Sequence, residues 1–164
     1  MNSKAEESKQ LDVVGVRVEM PSSQPIVLLK ESEGSRFLPI WVGAVEATAI
    51  AFAQQGVTPP RPLTHDLLKD VILATGNKMR EVYLSGLRDG VFYAELIFDN
   101  GVEVSARPSD AIALALRTGA PIFGSTALLA EAGIEINEDG DEQEGELERF
   151  REFLDQIDPE DFAS

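Results

Sequence analysis

Twice the chain sends an Arg-Pro step into a hydroxyl residue and then an aspartate: Arg61-Pro62-Leu63-Thr64-His65-Asp66, which holds the only histidine, and Arg107-Pro108-Ser109-Asp110. Guanidinium, imidazole and carboxylate in so short a stretch suit anion handling or metal binding. They equally suit helix initiation. Thr64 and Ser109 have the side chains of N-caps, and Asp66 and Asp110 fall in a first turn, where the helix dipole favours negative charge by roughly 0.3–1 kcal/mol. Pro62 and Pro108 restrict the residues before them and mark boundaries.

The elements that must position these residues follow from periodicity. Residues 1–10 read as a disordered N-terminus. Leu11–Met20 alternates as a strand with Val14, Val16 and Val18 on one face. Pro25–Leu29 and Arg36–Val42 are two more strands, joined by a hairpin at Glu33-Gly34. An alanine-rich helix runs Ala44–Gln55 and stops at Gly56. A second begins at Thr64, with Leu67, Leu68, Val71 and Ile72 at helical spacing, and closes at Gly76.

This order then recurs. Arg80–Leu87, Val91–Phe98 and Val102–Ala106 are strands, with Asn100-Gly101 as a hairpin turn. Asp110–Arg117 is an alanine-rich helix ended by Gly119, and Ser125-Thr126-Ala127-Leu128-Leu129 opens another. Gly34 to Gly101 is 67 positions, Glu46 to Asp110 is 64, Gly56 to Gly119 is 63 and Leu67 to Leu128 is 61. The nearly constant shift predicts an internal duplication of a three-strand, two-helix unit, about 11–76 and 80–136, folded as one α+β domain with a mixed β-sheet and covering helices. An acidic linker follows at 137–145. Leu147, Phe150, Phe153, Leu154 and Ile157 then predict an amphipathic C-terminal helix over 146–162.

Composition bounds what such a domain does. At 164 residues and 43% hydrophobic content the chain can build one adequate core. With no cysteine, disulfides, thiolate metal sites and thiol nucleophiles are excluded. No apolar run approaches the roughly 18 residues that span a bilayer, and the polar N-terminus lacks a secretory stretch, so a cytoplasmic protein is expected. The net charge of -15 is unevenly spread: residues 131–164 carry 14 acidic and 2 basic side chains, net -12, leaving -3 for the body. The sequence has no Walker or dinucleotide fingerprint and no Gly-x-Ser-x-Gly elbow around Ser109. Trp41 and the strand aromatics Phe37, Phe92, Tyr93 and Phe98 read as packing residues.

Three long motifs carry a resemblance. Leu38-Pro39-Ile40-Trp41-Val42-Gly43 with Glu46-Ala47, Pro60–Leu68, and Ala106–Arg117 together resemble the bifunctional nuclease family, over about Leu11 to Ile136. The resemblance implies a mixed β and α domain that degrades both DNA and RNA. Members often carry Asp where this chain has Ser105. Phosphodiester hydrolysis needs an activated water, stabilised phosphoryl charge and a protonated leaving oxygen. On that reading Glu46, Asp66 and Asp110 are candidate catalytic carboxylates and ligands for Mg²⁺ or Mn²⁺, and His65 is a base or ligand. Arg61 and Arg107 are phosphate clamps. Under the duplication, Glu46 and Asp110 occupy corresponding helix starts and face each other across a pseudo-twofold. The alternative is a non-enzymatic homo-oligomer, most simply a dimer, that recognises an anionic ligand or partner.

Overall fold

A computed structural model describes residues 7–19 and 24–135. The chain runs β1 (Ser8–Glu19), β2 (Gln24–Glu31), β3 (Arg36–Trp41), α1 (Ala44–Gln54) and α2 (Thr64–Ala74). It repeats as β4 (Met79–Arg88), β5 (Val91–Phe98), β6 (Glu103–Ala106) and α3 (Pro108–Thr118), and ends β7 (Ile122–Ser125), α4 (Thr126–Ala132) and β8 (Ile134–Glu135). All strands join one sheet in the order β6-β5-β4-β7-β1-β2-β3-β8. Every neighbouring pair is antiparallel except β4 and β7. The sheet is therefore mixed, and the fold is the α+β domain expected.

Since β7 runs with β4 and against β1, β1 and β4 run in opposite directions. The two three-strand meanders are thus mirrored in order and reversed in direction about β7, as a twofold normal to the sheet requires. Tight turns build them. Asp89 and Gly90 take φ of 52° and 76°, the left-handed pair of a two-residue hairpin. β7 itself was not expected: Ile122-Phe123-Gly124-Ser125 is too short to show a period, yet it joins the halves. Its antiparallel partner includes Ser8, Lys9 and Gln10, so β1 starts three residues before Leu11, inside the stretch read as disordered.

The helices lie on one face of the sheet. α1 packs on β1 and β2, α3 on β4 and β5, and α4 on β3, β4 and β7, while α1 and α3 pack on each other. Ala111, Ile112, Ala113, Leu114 and Ala115 are all buried, because α3 has the sheet below it, α1 beside it and α2 on its outer side. Ala47 and Ile50 of α1 and Leu128 and Leu129 of α4 fill the same core. On the reverse face Ile26, Leu28 and Trp41 form a second cluster with Phe37 and Ile134, so Trp41 packs as expected.

Three expectations change. A bulge between Val13 and Gly15 breaks the alternation of β1, so that Val13 and Val16 pack against the core and Val14 is exposed, as is Val18 near the strand end. Tyr93 stands on the solvent side of β5, opposite in phase to buried Phe92, with the Arg88 guanidinium 4.1 Å over its ring. Of the α2 stripe only Ile72 is buried, because α2 rests on α3 one layer out from the sheet. The predicted linker at 137–145 and amphipathic helix at 146–162 lie outside the described residues. Among the described residues no helix is long and apolar enough to cross a membrane.

Gly119 ends α3 in the left-handed conformation, φ 78°, and its N–H donates to Ala115 O at 2.9 Å. Gly119→Ala keeps the contacts and forces a Cβ into that conformation. It is expected to cost about 1 kcal/mol, seen as a lower urea midpoint at unchanged slope.

Candidate active site

The three candidate acids share one local address. Gly43, Leu63 and Arg107 are the N-caps of α1, α2 and α3, so Glu46, Asp66 and Asp110 are each the third residue of a helix. An acid there meets the positive end of the helix dipole and can turn back to the cap N–H. Asp66 does so, its Oδ2 accepting from Leu63 N at 3.0 Å.

The hydroxyls behave otherwise than expected. Thr64 and Ser109 are the first and second helical residues and cap nothing. Pro108 suits the first helical position because its missing N–H would be unpaired there, and the helix accordingly begins before the serine. Ser109 is fully buried, and its Oγ has no partner among the described residues. Ser125 is the hydroxyl that caps, accepting from Leu128 N at 3.0 Å.

Packing of α1 against α3 brings two of the acids onto one cation. Arg107 Nη2 donates to Glu46 Oε1 at 2.6 Å, and Arg107 Nε donates to Asp110 Oδ2 at 2.9 Å. The carboxylate of Glu46 raises the Arg107 pKa most, that of Asp110 next. The guanidinium remains 47% exposed, and its Nη1 is used in none of these bonds. Asp110 has its other oxygen on His65, with Nε2 to Oδ1 at 2.8 Å. A carboxylate acceptor requires the proton on Nε2, which leaves the Nδ1 lone pair as the basic nitrogen. The imidazole is 11% exposed.

Asp66 is held elsewhere. Arg117 Nε donates to Asp66 Oδ1 at 2.7 Å, Nη1 to Ala113 O at 2.8 Å and Nη2 to Ala49 O at 3.0 Å. One guanidinium thereby binds α1, α2 and its own α3. Its hydrogen bond keeps the Asp66 carboxyl below the usual carboxylate range, outweighing the opposing effect of desolvation. Arg117 was not singled out as a site residue, although it lies two helical turns after Asp110 and so on the same face of α3. Arg61 is exposed in the loop before α2 with no partner among the described residues. The structure thus gathers Glu46, Arg107, Asp110 and His65 and leaves Asp66 and Arg61 outside that group. Among the described residues no three His, Asp or Glu side chains are grouped to hold a metal ion.

A family model described as the bifunctional nuclease domain matches residues 27–137, a span that contains every one of these side chains. The chain belongs to that family. It is also similar to "Uncharacterized protein Rv1829" of Mycobacterium tuberculosis strain ATCC 25618 / H37Rv. The identity is 54% over 161 residues, covering 94% of this chain and 98% of the relative. "Uncharacterized protein MT1877" of strain CDC 1551 / Oshkosh matches to the same extent, 54% over 161 residues. Family membership suggests a nuclease-like function for the domain, and these relatives' names add no activity.

Arg117→Ala is expected to destabilise the fold by about 3 kcal/mol, because it leaves the Asp66 carboxylate without its countercharge and removes the side-chain bonds that tie α1 and α2 to α3. Asp66→Asn tests the ion pair through pH. A carboxyl whose folded pKa is lowered stabilises fully above its ordinary value of 3.8 and loses that contribution as pH falls through the folded value. The stability gap between wild type and Asp66→Asn should therefore be constant from neutral pH to about 5 and close below 3.8 in urea titrations.

Proposed function

We propose that this protein hydrolyses phosphodiester bonds of DNA and RNA, with His65 as general base oriented by Asp110 and Arg107 as the phosphate-binding cation. The observation that carries the reading is the unbroken chain from His65 through Asp110 to a half-exposed guanidinium. Asp110 fixes the imidazole tautomer and balances the charge the ring acquires on taking a proton from water. As the water oxygen bonds to phosphorus and the ester P–O bond breaks, the departing oxygen takes a proton from solvent and the imidazolium returns its own to solvent. Arg107 presents Nη1 to a phosphoryl oxygen while its other nitrogens hold it in place, so its orientation is set before substrate arrives. A base that activates water does not need the 2′-hydroxyl, which accords with both sugars as substrate. Arg61, four residues before His65, is a second cation for a neighbouring phosphate.

The expected Mg²⁺ or Mn²⁺ finds a poor donor set in this pairing. Both oxygens of Asp110 are engaged, Glu46 is bound to the same guanidinium and Asp66 is bound to Arg117. A divalent ion shared by Glu46 and Asp110 would have to displace Arg107. The pairing does not fit a cluster, and no step is assigned to a metal.

Purified protein should cleave single-stranded DNA and RNA, and His65→Ala should lower kcat about 100-fold or more with the fold intact by circular dichroism. Asp110→Asn and Arg107→Ala should also lose most activity. Activity that survives His65→Ala defeats the assignment of the base, and activity abolished by EDTA and restored by Mn²⁺ defeats the metal-free reading of Glu46 and Asp110.

A self-associating form draws on a different observation. Leu63, Leu67 and Val71 lie four residues apart along the outer side of α2 and are all about half exposed. A second copy presents the same stripe about a twofold axis, a self-complementary contact. The wild type should then sediment as a dimer and Leu67→Glu as a monomer. Equal sedimentation of the two would remove α2 as the contact.

A further inference from the structure

Between the loop after α1 and the first turns of α2, and reaching α3 at Leu116 and Arg117, the surface folds into a cleft of about 350 Å³. Its floor is the Asp66–Arg117 pair, and Asp66 directly follows His65 in the chain. The floor offers no free charge. Both Asp66 oxygens and three Arg117 nitrogens are already bonded within the protein. The walls divide by chemistry. Val57, Pro59, Pro62 and Leu116 make an apolar side, and on α2 Lys69 and Asp70 add one charge of each sign, the ammonium being the cation not engaged in the floor.

We propose that this cleft holds one nucleotide of the substrate strand, the unit next to the phosphate cleaved at His65. This deepens the phosphodiesterase reading and rests on it for its place in the reaction. Volume fits, since sites for small ligands begin near 300 Å³. Chemistry fits as well. The flat faces of proline rings and the branched side chains of Val57 and Leu116 take a base by dispersion contact and exclusion of water, while Lys69 takes a phosphate oxygen. Such contacts do not read base edges, so the cleft accepts any base, with purines favoured for their larger area. The three prolines at 59, 60 and 62 give the wall a preset backbone, which reduces the ordering lost on binding.

The cleft is tested by binding without turnover. The full chain is titrated calorimetrically with adenosine 5′-monophosphate, ribose 5-phosphate and inorganic phosphate. Adenosine monophosphate should bind at least about tenfold more tightly than ribose 5-phosphate, the increment that a base in an apolar wall supplies. Thr58→Trp, which places an indole at the cleft, and Lys69→Glu should each weaken adenosine monophosphate about tenfold or more with unchanged circular dichroism. Equal affinity for adenosine monophosphate and ribose 5-phosphate overturns the proposal, as does wild-type affinity in either variant. Protein that binds the nucleotide but cleaves nothing would uphold the cleft and condemn the hydrolytic reading alone. Protein that cleaves but shows no preference for the nucleotide would do the reverse.

Discussion

The guanidinium of Arg117 is the interaction on which the site depends. It is 8% exposed, so its charge has given up most of its water and must be compensated by the protein. Compensation comes from one carboxylate and two carbonyls on three different helices, a donor fork that lysine cannot reproduce. α2 needs this more than its neighbours do. The other helices press apolar side chains onto the sheet, while α2 buries Ile72 alone and lies across α3. Hydrophobic burial fixes where α2 lies only loosely. The ion pair at its third residue fixes the register, and with it the position of His65, the residue before.

With α2 held, His65 meets Asp110 and the second cross-link between α2 and α3 forms. Arg117 and Asp110 lie two turns apart on one face of α3, so the two links brace adjacent residues of α2. Helix initiation and site chemistry are not rival explanations of these acids. Asp66 turns back to the N–H at its own helix start and also binds Arg117, and Asp110 sits at the positive end of α3 while holding His65 and Arg107. The dipole that makes an acid favourable at a third helical position thus acts on the same carboxylate that holds the imidazole.

Most of the architecture was legible in the sequence because it rests on local signals. Period-two alternation marks β5 to the residue, and glycines at 56, 76 and 119 follow the ends of the three longer helices. What was not legible depends on packing between distant segments. β7 has four residues and no period, and it becomes a strand because β4 and β1 each leave an open edge on either side of it. The apolar spacing of α2 reads as a core stripe in any sequence-based account; only the crowding of α3 between sheet and α1 shows that α2 has no sheet to lie on. The candidate residues were found by type, and most of their partners were not. Arg117 reads as a helix-ending cation until three helices converge on it, and the grouping of Glu46 with Asp110 was anticipated only through the duplication.

That duplication also explains why the described residues hold one such cluster and not two. Gly43 and Arg107 are 64 positions apart, as are Glu46 and Asp110, so the two helix starts correspond residue for residue. The acids are kept and the caps have diverged. At Gly43 the carboxylate of Glu46 lies where a Cβ would stand, so a larger cap residue would push Glu46 from its place. At Arg107 the cap residue carries the only cation of the pair, and it binds Asp110 of its own helix while reaching across the pseudo-twofold to Glu46. A second arginine at the glycine position would displace the carboxylate it ought to neutralise, whereas one arginine between two acids leaves the trio at net −1 and one guanidinium nitrogen free. The symmetric fold supplies the meeting point of the helix starts, and the asymmetry at their caps leaves a single guanidinium there between two carboxylates.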